Sequence, residues 1–203
     1  MDAPNQLWFI AYGHLLDSAQ LLDALGDQQP QDERAVFLSH PLYFSGRNRR
    51  WGGAVSALDH HSAAGVQTLA RAWLLDAAAL EQLVRTENAE PDLAIDWATW
   101  DGSAPLTLRD RGYGLLLPLG DLDGRPQYTL TNPLPMVQRR PAAPGPAYLQ
   151  AMVTGLRECY GLNVIGLRNY LNALPGMESE LSHGQVKKML DTALAELGDA
   201  EQN

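Results

Sequence analysis

The sequence predicts an α+β fold, a small mixed β-barrel with surrounding helices and a helical extension at its C-terminal end. Three observations carry that expectation. Residues 1–132 contain short β-rich runs separated by Gly, Pro and polar turns, with one longer helical stretch embedded among them. Residues 133–147, PLPMVQRRPAAPGPA, hold five prolines in fifteen positions, the composition of a connector that cannot pair in a sheet. From 148 to 203 the apolar residues recur at helical spacing. The chain therefore divides into a barrel domain (1–132), a Pro-rich connector (133–147) and a helical extension (148–203) that packs back on the barrel.

Each element follows from its own residues. The run LWFIAY (7–12) is aromatic and β-rich, and Gly13 stops it, which makes a buried first strand followed by a turn. Asp17 or Ser18 caps a short helix over Ala19–Leu25, ended by Gly26. AVFLS (35–39), PLYFS (41–45) and GAVSAL (53–58) read as strands. So does VQTLARAWLL (66–75), reached through the polar turn DHHSAAG. Asp76 caps a helix that runs to Thr86 or Glu87. After an acidic loop containing tryptophan, YGLLLPL (113–119) and PQYTLT (126–131) form a hairpin through DLDGR, whose Asp-Gly pair suits a tight turn. In the extension, Leu149, Met152, Val153, Leu156 and Tyr160 mark one helix. Val164, Leu167, Leu171 and Leu174 mark a second, closed by Pro175-Gly176. A third begins at Ser182 with Gln185 at capping-box spacing, and its stripe runs through Val186, Met189, Leu190, Ala193, Leu194 and Leu197 to Gly198.

Composition narrows the function classes. At 203 residues, 45% hydrophobic and 19% charged, the chain is long enough to bury a core unaided and too apolar to be disordered. Twenty-four acidic against 15 basic residues give a net charge of −9, which repels phosphate backbones, so no nucleic-acid partner is expected. No apolar run approaches the roughly 20 residues of a membrane span. The N-terminal MDAPNQLWFIAYG lacks the basic start and cleavage site of a signal peptide. Cys159 is the one cysteine, which excludes an internal disulfide. The expectation is a soluble cytoplasmic protein with no membrane partner.

One carboxylate stands where an apolar residue belongs. In AAALEQLVRTEN (77–88) the apolar stripe is Leu80, Leu83 and Val84, and the next position of that series is Glu87. Asn88 follows, a residue that tolerates the left-handed conformation used to end helices. A carboxylate held on the inner face loses hydration, which favours its protonated form and suits a group that takes and returns a proton. The alternative is that the helix frays one residue early and Glu87 turns into water.

Two further segments carry a resemblance. AYGHLLD (11–17) resembles the AYGSNL signature of the γ-glutamylcyclotransferase-like family, and LVRTENA (83–89) is similar to the place where that family carries a helix-terminal Glu. GRNRRWGGAVSAL (46–58), AYLQAMVTGLRECYGL (147–162) and YLNALPG (170–176) resemble an actinobacterial-type branch of these proteins. The resemblance implies a small mixed β-barrel and a reaction in which a γ-glutamyl amide cyclises to 5-oxoproline and releases an amine. It implies Glu87 as the general acid and base. It places the turn amides of Gly13, His14 and Leu15 as oxyanion and carboxylate donors, with Tyr12 at the cavity mouth; of the five tryptophans Trp51, with the adjoining Gly52, is the one expected near the cavity. No cofactor and no metal are implied, because the substrate's own amine is the nucleophile. His14 and Leu15 stand where the family has Ser and Asn; backbone donors survive that change and the two polar side chains do not.

Other constellations are weaker. Asp59-His60-His61 lacks the further aspartates of a metal phosphoesterase, and the five histidines include no His-x-x-x-His pair. Arg47, Arg49 and Arg50 could meet a substrate carboxylate or phosphate, but read more simply as a solvated turn. Cys159 lies beside an apolar stripe and reads as packing. Two functions therefore stay in view. One is an enzyme acting on a γ-glutamyl small molecule. The other is a non-catalytic module on the same fold that binds an amino-acid-like ligand or a protein partner. Whether the extension lids the pocket or forms a homodimer is open.

Overall fold

The computed structural model describes residues 3–177, residue 188 and residues 190–192. At its centre lies β1 (Leu7–Ala11), five apolar residues that are all buried. A strand apolar on both faces needs neighbours on both edges and cover on both sides. It pairs antiparallel with β5 (Thr68–Leu75) and parallel with β8 (Arg125–Thr131). With β2 (Asp32–Leu38), β6 (Leu106–Thr107) and β7 (Leu115–Leu122) these make a six-stranded mixed sheet in the order β2-β5-β1-β8-β7-β6. β3 (Leu42–Asn48) and β4 (Gly53–Leu58) form a separate antiparallel ribbon. The fold class is α+β, as the sequence predicts.

Alternation along β1 divides the core in two. Leu7, Phe9 and Ala11 face a layer built from α1 (Ser18–Leu25) and α2 (Ala77–Asn88), where they meet Leu21, Leu25, Leu80, Leu83 and Val84. Trp8, Ile10 and Tyr12 face the other side. There the β3–β4 ribbon, α3 (Pro146–Tyr160) and α4 (Val164–Asn172) supply Phe44, Leu58, Tyr148, Leu149, Met152 and Leu167. Both helices on the first side begin where expected: Asp17 accepts from the Ala19 amide and Asp76 from the Ala79 amide. The β7–β8 turn has φ of 52° at Asp123 and 74° at Gly124, the pair of positive values that Asp-Gly was expected to supply. Among the described residues no helix is long and apolar enough to cross a membrane.

Three expectations are corrected. The connector does pair: Ser45 bridges Pro141, Ala54 bridges Pro144, and the hydrogen bonds are Ala142 N–H to Phe44 O (3.1 Å) and Ala54 N–H to Ala143 O (2.9 Å). Proline removes its own donor, but between the prolines Ala142 keeps its N–H and Ala143 offers its carbonyl. The approach is close because Gly53 and Gly145 lack side chains; a Cβ on Gly53 would meet the backbone of Pro144 and Gly145. Second, α2 ends in a left-handed residue at Ala89 (φ 49°, ψ 46°), not at Asn88. Asn88 stays helical because its amide donates to Val84 O (2.9 Å) and Tyr113 O (3.2 Å). Third, the strands over 35–39 and 41–45 are longer and shifted to 32–38 and 42–48. The helix expected from Ser182 lies outside the described residues, apart from residues 188 and 190–192.

Candidate functional site

Glu87 is on the helix and turned inward, with its side chain 6% exposed. The end of α2 is fixed from several directions. The Glu90 amide reaches back to Arg85 O (3.1 Å), the Ala89 amide is bonded to the carbonyls of Arg85 and Thr86, and Arg109 donates to Asn88 O (2.6 Å). Thr86 ties the same turn to Ala24 O of α1 at 3.0 Å. A helix closed this tightly one turn beyond Val84 cannot fray at Glu87.

The partner of Glu87 is His14. Its Nε2 lies 3.2 Å from Glu87 Oε1, and the imidazole is 4% exposed. His14 sits in a 3-10 turn (His14–Leu16) between β1 and α1, whose own bonds run from Leu16 N–H to Gly13 O and from Asp17 N–H to His14 O. The amides of Gly13, His14 and Leu15 are thus outside the turn's internal ladder. The His14 ring is packed by Trp51 at 5.0 Å and Tyr148 at 5.3 Å between centroids. Under the turn lies a knot of buried hydroxyls. Ser56 Oγ and Tyr148 Oη are 2.6 Å apart, Tyr113 Oη is 3.0 Å from Tyr148 Oη, and the Tyr113 hydroxyl also donates to Ser56 O at 3.1 Å. Burial, and after it the neighbouring phenols and Glu87, push the Tyr113 phenol well up; burial likewise raises Tyr148. Both are neutral hydrogen-bond donors at neutral pH.

Gly13 is required here by proximity rather than by φ. A Cβ at Gly13 would stand under 3.0 Å from both Ser56 Oγ and Tyr148 Oη. Further along α3, Gly155 also meets the turn, where a Cβ would collide with the backbone of Leu16 and Asp17. The turn is thus held against β4 and α3, two elements that are far away in sequence.

Glu87 and Tyr113 are shared by two spaces. One is a cavity of about 20 Å³ against the turn, lined also by Tyr12, Gly13, His14 and Leu15 and large enough for one water-sized group. The other is an outward cleft of about 140 Å³, bounded by Ser45, Arg47, Asn48, Asn132 and Arg139 among others. A single carboxylate between a small, mostly apolar recess and an open cleft can exchange a proton with a molecule in the cleft.

Most residues expected at the site converge on it; Tyr12 does so differently, and Gly52 does not. Glu87, Gly13, His14, Leu15 and Trp51 are brought together. Tyr12 lines the recess but is not at a mouth: it is 4% exposed and its hydroxyl donates to Leu130 O at 2.6 Å, because the even-numbered face of β1 points into the core. Gly52 turns the β3–β4 ribbon at φ 67° with open space around it and lines neither space. Sequence reasoning missed Ser56, Tyr113, Tyr148 and Arg139. Tyr148 carried a usable signal, a hydroxyl beside the apolar stripe of its helix. His60 Nε2 lies 2.8 Å from Asn132 O, and Asp59 accepts from the His60 and Met136 amides, so Asp59-His60 organises a turn.

Taken as a whole, the fold is of the kind seen in solved γ-glutamylcyclotransferase-like structures. The structure is similar to that of a γ-glutamyl cyclotransferase with a TM-score of 0.52 and 14% identity, covering 92% of this chain and 98% of that one. It is similar to an uncharacterized protein from Homo sapiens with a TM-score of 0.53 and 14% identity, covering 93% and 99%. It also matches YkqA from Bacillus subtilis with a TM-score of 0.54 and 20% identity, covering 85% of this chain and 56% of that longer one. No family model matches the sequence, and no curated protein matches it. Identities this low carry the fold and leave the chemistry to be argued from the site.

Proposed function

We propose that this chain is a γ-glutamylcyclotransferase-like enzyme that cyclises a γ-glutamyl amide to 5-oxoproline and releases an amine. The observation that carries the reading is Glu87: a buried carboxylate, fixed at a helix end, bonded on one oxygen to His14 and facing a cleft. Cyclisation needs no external nucleophile. The substrate's α-amine attacks its own γ-carbonyl, forming the ring C–N bond, and its proton passes to Glu87. The carbonyl oxygen becomes an oxyanion, for which the amides of Gly13, His14 and Leu15 are suitably placed donors at the recess. When the C–N bond to the leaving amine breaks, Glu87 returns the proton to that amine. His14 holds Glu87 Oε1 and so leaves Oε2 as the oxygen that works.

A second reading has its own observation. His14 takes the place of a small polar residue, is bonded to Glu87, and leaves a recess of only about 20 Å³. With Glu87 engaged by His14 and the recess this small, the adjoining cleft also suits a non-catalytic pocket for an amino-acid-like ligand. Incubating the protein with a panel of γ-glutamyl amines, γ-glutamyl amino acids and glutathione, with 5-oxoproline read by mass spectrometry, separates the two. Product supports the enzyme; thermal stabilisation by the same compounds without product supports the binding module.

A further inference from the structure

The basic patch at 47–50 and the Pro-rich connector have no place in the chemistry above, yet the fold brings one arginine from each to the cleft beside Glu87. Arg47 comes from β3 and Arg139 from the connector. Arg139 is not carried on a loose linker. Its amide donates to Met136 O at 2.9 Å, and two residues on the chain is bridged to Ser45 and then to Ala54. Its side chain is directed across β3: Nε lies 3.4 Å from Ser45 Oγ, and Nη2 passes so close over Gly46 that a Cβ there would stand 2.9 Å from it.

The charge balance of this place is unlike that of the chain. The whole molecule carries 24 acids against 15 bases, and several of its other arginines are paired: Arg34 with Asp32 and Asp123, Arg71 with Glu33 and Glu158, Arg109 with Glu90. Among the described residues neither Arg47 nor Arg139 has a carboxylate within ion-pair distance, and Glu87, already bonded to His14, is the one acid lining the cleft. Asn48 adds to the donors, because its Oδ1 is occupied by the Arg50 and Trp51 amides. Two guanidiniums without acid partners on the wall of a concave site make a carboxylate receptor.

We infer that Arg139, assisted by Arg47, is the specificity-determining carboxylate subsite of the cleft and selects an anionic substrate. For the identity of the molecule this rests on the cyclisation reading; for the sign of its charge it does not. The carboxylate comes from one of two sources, the glutamyl α-carbon or the departing amine. Three probes distinguish them by calorimetry against the intact wild-type chain, Arg139→Gln and Arg47→Gln: γ-glutamylglycine, γ-glutamylmethylamide and glutarate. Loss of one charge-assisted contact corresponds to about ten- to hundredfold in affinity.

The expected result is such a loss for γ-glutamylglycine in Arg139→Gln, a smaller one in Arg47→Gln, partial recovery in Arg139→Lys, and unchanged melting temperatures. An equal loss for γ-glutamylmethylamide assigns the subsite to the α-carboxylate; none assigns it to the departing amine. Arginine-dependent binding of glutarate alone upholds the subsite while removing the γ-glutamyl reading. Binding of the γ-glutamyl compounds that ignores both substitutions overturns the subsite and leaves that reading standing, and no binding of any probe overturns both.

Discussion

Gly13→Ala offers a sharp test of how the turn is held. The new methyl group would lie under 3.0 Å from both Ser56 Oγ and Tyr148 Oη, which belong to fully buried residues bonded to each other at 2.6 Å. Neither oxygen can retreat without losing that bond. Overpacking of this kind costs about 1–3 kcal/mol, and breaking the hydroxyl pair adds about 1 kcal/mol. A total of about 2–4 kcal/mol lowers the melting temperature of a chain this size by about 5–15 °C. Thermal unfolding followed by circular dichroism reads the shift. Adding Tyr148→Phe removes one obstructing oxygen, so the double variant should lose at least about 1 kcal/mol less than the sum of the single losses. Gly166 in α4 is the internal control, since a Cβ there meets nothing closer than 3.5 Å and Gly166→Ala should gain up to about 1 kcal/mol from helix propensity. A Gly13→Ala variant that melts within about 1 °C of wild type, or a strictly additive cycle, would refute the packing account of the turn.

Other expectations follow from single residues. Leu83→Ala, at a fully buried position next to Glu87, should cost about 2–5 kcal/mol in urea unfolding; a cost below about 1 kcal/mol would contradict the helix–sheet packing. Ala89→Gly relieves a left-handed residue and should raise stability by up to about 1 kcal/mol, whereas Ala89→Val should lower it. The Glu158 carboxyl is opposed by burial, but hydrogen bonds from Arg71 and Ser18 outweigh that and hold its pKa below the ordinary value. A depressed carboxyl stabilises the fold above its unfolded pKa, near 4.5, and loses that contribution as pH falls through the lower folded value. The melting-temperature gap between wild type and Glu158→Gln should therefore be open at pH 6 and shrink toward pH 3; a constant gap would contradict the assignment.

What could be read from the sequence was whatever is decided locally. Asp17 and Asp76 cap their helices through amides two and three residues away, and the Asp123-Gly124 turn follows from two adjacent φ preferences. Glu87 was legible because helical periodicity alone puts it on the face of Leu80, Leu83 and Val84. The hydroxyl knot was not legible, because Ser56 and Tyr148 are 92 residues apart and meet only once α3 has docked. Arg139 was hidden for the same reason: its segment looked like a spacer, and the two alanine contacts that fix it cannot be read from proline content. Asn88 was misjudged because a buried amide bonded to Val84 and Tyr113 overrides the residue's own taste for the left-handed region. Tyr12 was placed at a mouth by resemblance, whereas strand alternation sends it into the core.

The central claim is that Glu87 moves the protons of a γ-glutamyl cyclisation. The direct measurement compares wild type with Glu87→Gln for release of 5-oxoproline from the γ-glutamyl compound that wild type turns over fastest. Glutamine keeps the size of the side chain and an oxygen toward His14, so the melting temperature should stay within a few degrees. The account predicts that turnover falls by about 10²- to 10⁴-fold, the usual contribution of a positioned acid and base. Turnover equal to wild type in the folded variant, or no 5-oxoproline from wild type with any γ-glutamyl compound, would contradict it.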